Sequence, residues 1–109
     1  MIKLLAVDMD GTCLDPKSRM TDATIGALSL AAKAGIQVVP TTGRTLGCLP
    51  HRLVGRRDIF RYVITSNGAK VTDLQTKRTV FRADIKKENA LSLLNEIKNT
   101  KGLRVGVTA

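Results

Sequence analysis

Three short apolar runs, Ile2–Val7, Ile36–Pro40 and Tyr62–Thr65, each break off into a polar turn that contains glycine. Between the first two, Thr21 stands where a helix N-cap belongs, Ile25, Leu28 and Ala32 recur at helical spacing, and Gly35 occupies the left-handed stop position. Strand, helix and strand in this order close by a right-handed crossover into a parallel sheet. Ile2–Val7 carries apolar residues on both of its alternating faces, the pattern of a strand covered on both sides. A less regular helical stretch spans about Leu46–Val54 and is interrupted by Pro50. The fold class is therefore α/β, with a Rossmann-like parallel sheet core in the N-terminal half.

The pattern changes after Gly68. Ala69–Thr72 and Arg78–Phe81 flank a polar loop and read as a hairpin, and Asp84–Asn99 reads as an amphipathic helix with Ala90, Leu94 and Ile97 on one face. Leu103, Val105 and Val107 then alternate with Arg104 and Gly106, as in a half-buried strand. The boundary falls within residues 68–83, which gives a core unit over 1–82 and the start of a second, α+β unit over 83–109.

Charge narrows the function classes. The 109 residues hold 18 Lys and Arg against 9 Asp and Glu, a formal charge of +9. Such a surplus raises the question of nucleic acid. The densest basic group, Arg52, Arg56, Arg57 and Arg61, has only Phe60, Tyr62 and Phe81 as aromatic company in the whole chain, so no stacking platform exists. It reads as a solvated basic face, with no nucleic-acid partner. The longest uncharged stretches, Ala23–Ala32 and Ala34–Gly43, fall well short of the roughly 18 residues that span a bilayer. The first apolar run meets Asp8 too soon to be a signal-peptide core. These features predict a cytoplasmic protein with no membrane partner, in which Cys13 and Cys48 are reduced thiols.

Against the basic background, residues 1–22 hold four of the nine acids, Asp8, Asp10, Asp15 and Asp22. In Asp8-Met9-Asp10-Gly11-Thr12 the two aspartates stand two apart in extended chain and so face one side. Two adjacent carboxylates repel unless a cation neutralises them, and a hard, oxygen-seeking ion such as Mg²⁺ is the natural partner. With the ion present, one carboxylate can attack phosphorus while the other moves a proton. An EF-hand loop is excluded, because Cys13 and Arg19 stand where glycine and glutamate would be required. A hairpin Asp-Gly turn and a helix-capping pair stay open as alternatives, although the flanking runs are unsymmetrical and the next helix begins only near residue 22. In an open α/β sheet the carboxyl ends of the strands line one edge, which gathers Asp8, Thr42 and Asn67 from distant parts of the chain. Thr41-Thr42-Gly43-Arg44 offers hydroxyls, N–H groups and a guanidinium suited to phosphate, or equally a simple strand-to-helix turn. Asn67-Gly68 is also a favoured hairpin turn.

Asp8-Met9-Asp10-Gly11-Thr12 after an apolar strand resembles the first motif of the haloacid dehalogenase-like hydrolase superfamily. Thr42-Gly43-Arg44 ending the second strand, and Ser66-Asn67-Gly68-Ala69 ending the third, resemble its Cof-type phosphatases. The resemblance implies that Asp8 is the nucleophile and a Mg²⁺ ligand, and that Asp10 is the general acid and base with its carbonyl on the metal. It implies that Thr42 binds the transferring phosphoryl group, that Gly43 shapes the turn, and that Arg44, Asn67 and Gly68 lie beside the substrate. The substrate class it implies is a small phosphorylated metabolite, and the residues after Arg82 would begin the family's cap. The family's later lysine and acidic Gly-Asp pair have no counterpart among these residues, so the resemblance implies a site only partly carried here. On that reading the chain is a fragment, a truncated product or half of an assembled site, with an uncovered sheet edge that favours self-association. The alternative is a catalytically inactive phosphate-binding or interaction module of the same descent.

Overall fold

The computed structural model of the chain describes residues 1–107. Its elements are β1 (Leu4–Asp8), α1 (Asp22–Lys33), β2 (Gln37–Thr41), α2 (His51–Val54), β3 (Tyr62–Thr65), β4 (Lys70–Asp73), β5 (Arg78–Arg82) and α3 (Lys87–Ile97). The five strands form one sheet in the order β1-β2-β3-β4-β5. β1, β2 and β3 run parallel, while β4 and β5 are antiparallel to their predecessors, which makes the sheet mixed.

Local chemistry explains the elements. The Thr21 hydroxyl accepts the Thr24 N–H at 3.3 Å and starts α1, and Gly35 ends the turn at φ +86°. Pro50 splits the stretch after β2 into a 3₁₀ turn over Leu46–Cys48 and the single-turn α2, because it cannot donate within a helix. Thr65 and Lys70 pair across β3 and β4, so Ser66–Ala69 is the connecting turn and the hairpin reading of Asn67-Gly68 holds.

Two expectations are corrected. β1 is not covered on both sides: Leu4 is 59% and Leu5 36% exposed, because β1 lies at the sheet edge and α1 packs against its neighbour β2. Residues 103–107 form no strand and are exposed. Alternating side chains make a strand only when another backbone supplies hydrogen bonds, and none among the described residues does so there.

The core gathers Met9, Met20, Leu53, Val38, Phe60 and Val63, with Ile25 and Leu28 of α1 packed into it. α3 buries no residue completely, and its half-buried side chains are Ala90, Leu94 and Ile97, the predicted face. The radius of gyration is 16.6 Å, against about 13 Å expected of a compact domain this long, in keeping with a helix and tail that stand away from the sheet. No helix among the described residues is long and apolar enough to cross a membrane.

The basic group does more than face solvent. Arg52 reaches Asp22 at 2.6 Å and the Met20 carbonyl at 3.0 Å, which ties α2 to the start of α1. Arg56 forks Asp58, and Arg61 lies against both the Tyr62 ring and the buried Asp73. The Asp73 carboxylate also accepts the N–H groups of Gln75 at 2.9 Å and Thr76 at 3.2 Å, so it closes the β4–β5 turn. Desolvation pushes the Asp73 carboxyl up, but those two N–H groups and Arg61 together hold it below the ordinary carboxylate range.

Two outcomes follow. Phe60→Ala empties a fully buried position and should cost about 3–5 kcal/mol in urea unfolding. A group depressed in the folded state contributes stability above its unfolded value of about 4 and loses it as pH falls through the folded one. Thermal melts between pH 6 and pH 2 should therefore show an acid loss that is smaller in Asp73→Asn.

Candidate functional site

Met9, the first residue of the turn after β1, is fully buried. Asp8 and Asp10 on either side of it are both exposed. The Met9 carbonyl accepts the N–H groups of Thr12, Cys13 and Leu14 at 3.2, 2.9 and 2.9 Å, and Gly11 supplies the φ of +75° that the reversal needs. The Thr12 hydroxyl donates to Asp8 Oδ2 at 3.3 Å, which leaves Oδ1 without a protein donor among the described residues. Burial and then the Asp8 charge push the Cys13 thiol up from its ordinary value, so it stays a protonated, buried thiol.

Register brings the other turns alongside. Asp8 pairs with Thr41, and Thr41 with Ile64. The Thr42 N–H donates to the Ile64 carbonyl at 3.0 Å, the Asn67 N–H to the Thr42 carbonyl at 3.2 Å, and the Ser66 N–H to the Arg44 carbonyl at 3.0 Å. Asn67 holds a left-handed backbone at φ +54°, which aims its side chain at Gly43: a Cβ on Gly43 would lie 2.7 Å from Asn67 Oδ1. Gly68 follows at φ +94°. Thr42 is buried, and its hydroxyl accepts the Arg44 N–H at 3.0 Å while keeping its own hydrogen free to donate. Of the seven residues singled out from the sequence, Asp8 ends β1 and Asp10, Thr42, Gly43, Arg44, Asn67 and Gly68 lie in the three turns at this edge.

The cation opposite Asp10 is Arg44. Its Nε donates to Asp10 Oδ2 at 2.9 Å and its Nη2 to Asp10 Oδ1, while Nη2 also reaches Ser18 Oγ at 2.9 Å and Nη1 the Cys48 carbonyl at 3.3 Å. Sequence reasoning missed Ser18 and the loop that presents it. Asp15 builds that loop by accepting the N–H groups of Arg19 at 2.8 Å and Lys17 at 2.9 Å, and the Arg19 N–H above all holds the Asp15 carboxyl below its ordinary range. The Asp15-Pro16 pair was the available signal, because it initiates turns.

Among the described residues no group of three or more His, Cys, Asp or Glu side chains converges as a metal cluster. What the edge does offer is an oxygen-only donor set with one free carboxylate oxygen on Asp8. That suits Mg²⁺, which is commonly held by one or two carboxylates with waters and substrate oxygens for the remainder.

A family profile described as haloacid dehalogenase-like hydrolase matches residues 5–108. The chain is 32% identical over 101 residues to an HMP-PP phosphatase of Klebsiella pneumoniae, covering 93% of this chain and 36% of that protein. It is 34% identical over 98 residues to a pyridoxal phosphate phosphatase of Escherichia coli, covering 86% and 35%. Among solved structures, a haloacid dehalogenase-like hydrolase from B. subtilis aligns with a TM-score of 0.71 at 31% identity, over 89% of this chain and 33% of that one. The chain spans about a third of the length of the curated relatives it matches.

The Gly43–Asn67 contact is open to test. Gly43→Ala should displace the Asn67 side chain and lower the melting temperature, and Asn67→Ala should relieve much of that loss in the double variant. The Asn67 side-chain amide resonance and thermal melts of the four proteins in the cycle read both effects.

Proposed function

Because the chain belongs to the haloacid dehalogenase-like hydrolase family, we propose that it carries the nucleophile side of a Mg²⁺-dependent phosphatase site acting on small phosphorylated metabolites. The observation that carries this reading is the pair of exposed aspartates on either side of the buried Met9, with Asp8 in register with Thr41, the residue before Thr42. The names of the two phosphatase relatives, one for HMP-PP and one for pyridoxal phosphate, support the substrate class.

In the reaction an Asp8 carboxylate oxygen attacks phosphorus and the ester P–O bond breaks. Asp10 gives its proton to the departing oxygen. Asp10 then takes a proton from water, whose oxygen attacks the aspartyl-phosphate and releases inorganic phosphate, leaving Asp8 free. The Thr42 hydroxyl donates to a phosphoryl oxygen, with the Gly43 turn, Asn67 and Gly68 forming the wall beside it. Asp8 and the Asp10 carbonyl would hold Mg²⁺, which when bound supplies positive charge against the phosphoryl oxygens. In the same reading residues 1–82 belong to the core unit and residues 83–109 open the cap, consistent with β5 ending at Arg82 and α3 standing clear of the sheet.

The test combines turnover of p-nitrophenyl phosphate with Mg²⁺ and capture of beryllofluoride followed by ¹⁹F NMR. Asp8→Asn should abolish both, with turnover falling at least about a thousandfold. Failure of the unsubstituted chain in both assays, or full turnover by Asp8→Asn, overturns the reading.

A further inference from the structure

Arg44 makes contacts to every part of the edge. Its side chain forks Asp10, reaches Ser18 in the loop behind it and the Cys48 carbonyl in the turn ahead. Its backbone N–H donates to Thr42 Oγ1, and its carbonyl accepts the Ser66 N–H from the third turn. The three guanidinium nitrogens thus carry four hydrogen bonds to protein atoms, out of five N–H donors. A residue so committed has almost nothing left for a phosphate oxygen. Ser18 adds a second observation: it holds φ +59°, a sparsely populated region for serine, with its hydroxyl oxygen directed at Nη2.

We infer that Arg44 is a positioning residue, which fixes the direction of the Asp10 carboxylate and, through Ser18, the loop over 15–19, and is not a ligand of the substrate phosphate. The inference rests on the phosphatase reading above, since it assigns how the proton-transferring group of that reaction is held. The fork occupies two of the roughly four acceptor positions of the carboxylate, so Asp10 keeps positions for a proton or a leaving-group oxygen. A single rigid group that orients Asp10 also ties it to Thr42, because the Arg44 N–H and side chain belong to one residue. Charge alone does not supply this. A lysine carries the same charge on a flexible stem and has no planar fork to match a carboxylate.

The test compares the unsubstituted chain with Arg44→Lys and Ser18→Ala. In ¹⁵N-resolved spectra the Asp10 and Ser18 amides should shift in Arg44→Lys while core amides such as Val38 and Val63 stay in place. Inorganic phosphate with Mg²⁺, measured by calorimetry, should bind Arg44→Lys within about twofold of the unsubstituted chain, whereas loss of a charged phosphate contact would weaken it roughly tenfold or more. In p-nitrophenyl phosphate turnover, Arg44→Lys should lower kcat by about a hundredfold and leave KM nearly unchanged. Ser18→Ala, which removes one contact and keeps the fork, should lower kcat less and bind phosphate normally. Unmoved Asp10 and Ser18 resonances, a tenfold loss of phosphate affinity, or a rise in KM at constant kcat in Arg44→Lys each overturn the inference and leave the phosphatase reading standing. Absence of phosphate binding by the unsubstituted chain overturns that reading and, with it, the role assigned to Arg44.

Discussion

The buried side chain of Met9 is the point on which the edge depends. With it placed in the core, the residues before and after it stay at the surface, where the Arg44 fork sets the direction of Asp10. The same residue anchors the reversal, since its carbonyl collects three consecutive N–H groups. A hydrophobic contact thereby sets the geometry of a charged pair. Such a pair would repel if left alone, and the structure answers with the Arg44 guanidinium on one member and a threonine hydroxyl on the other.

Much of this was legible in the sequence because it rests on local rules. Thr21 and Gly35 bracket α1, Pro50 divides the stretch after β2, and the three apolar runs end in turns that meet at one edge. Asp8, Thr42 and Asn67 could be gathered from topology alone, because parallel strands have their carboxyl ends on the same side. What stayed hidden depends on partners far along the chain. The Arg44–Asp10 fork joins residues 34 apart, and no periodicity announces it. The exposure of β1 was hidden for a similar reason: composition tells what a strand prefers to touch, and only the assembled sheet tells whether anything is there. Leu103–Val107 shows the same gap, having the alternation of a strand without a pairing backbone among the described residues.

The basic residues are instructive in another way. A surplus of nine positive charges on 109 residues suggested a diffuse, solvated face. The face is exposed, and several arginines on it and beside it also act singly, each against one carboxylate: Arg52 with Asp22, Arg56 with Asp58, Arg61 with Asp73, Arg44 with Asp10. Those with both partners exposed add little stability each. Their use here is geometric, since they fix how α2, the hairpin and the first loop sit against their neighbours. The bidentate form of two of them shows why arginine and not lysine occupies those positions.

The Lys3 carbonyl accepts the Gln37 N–H, so by alternation the peptide groups of Leu4, Ala6 and Asp8 face away from β2. Any backbone laid along that open side would hydrogen-bond to the peptide of Asp8 itself. Its alignment and the placement of the aspartate would then be a single ladder. A slip of one residue would turn its side chains to the opposite face and remove them from reach of the carboxylate.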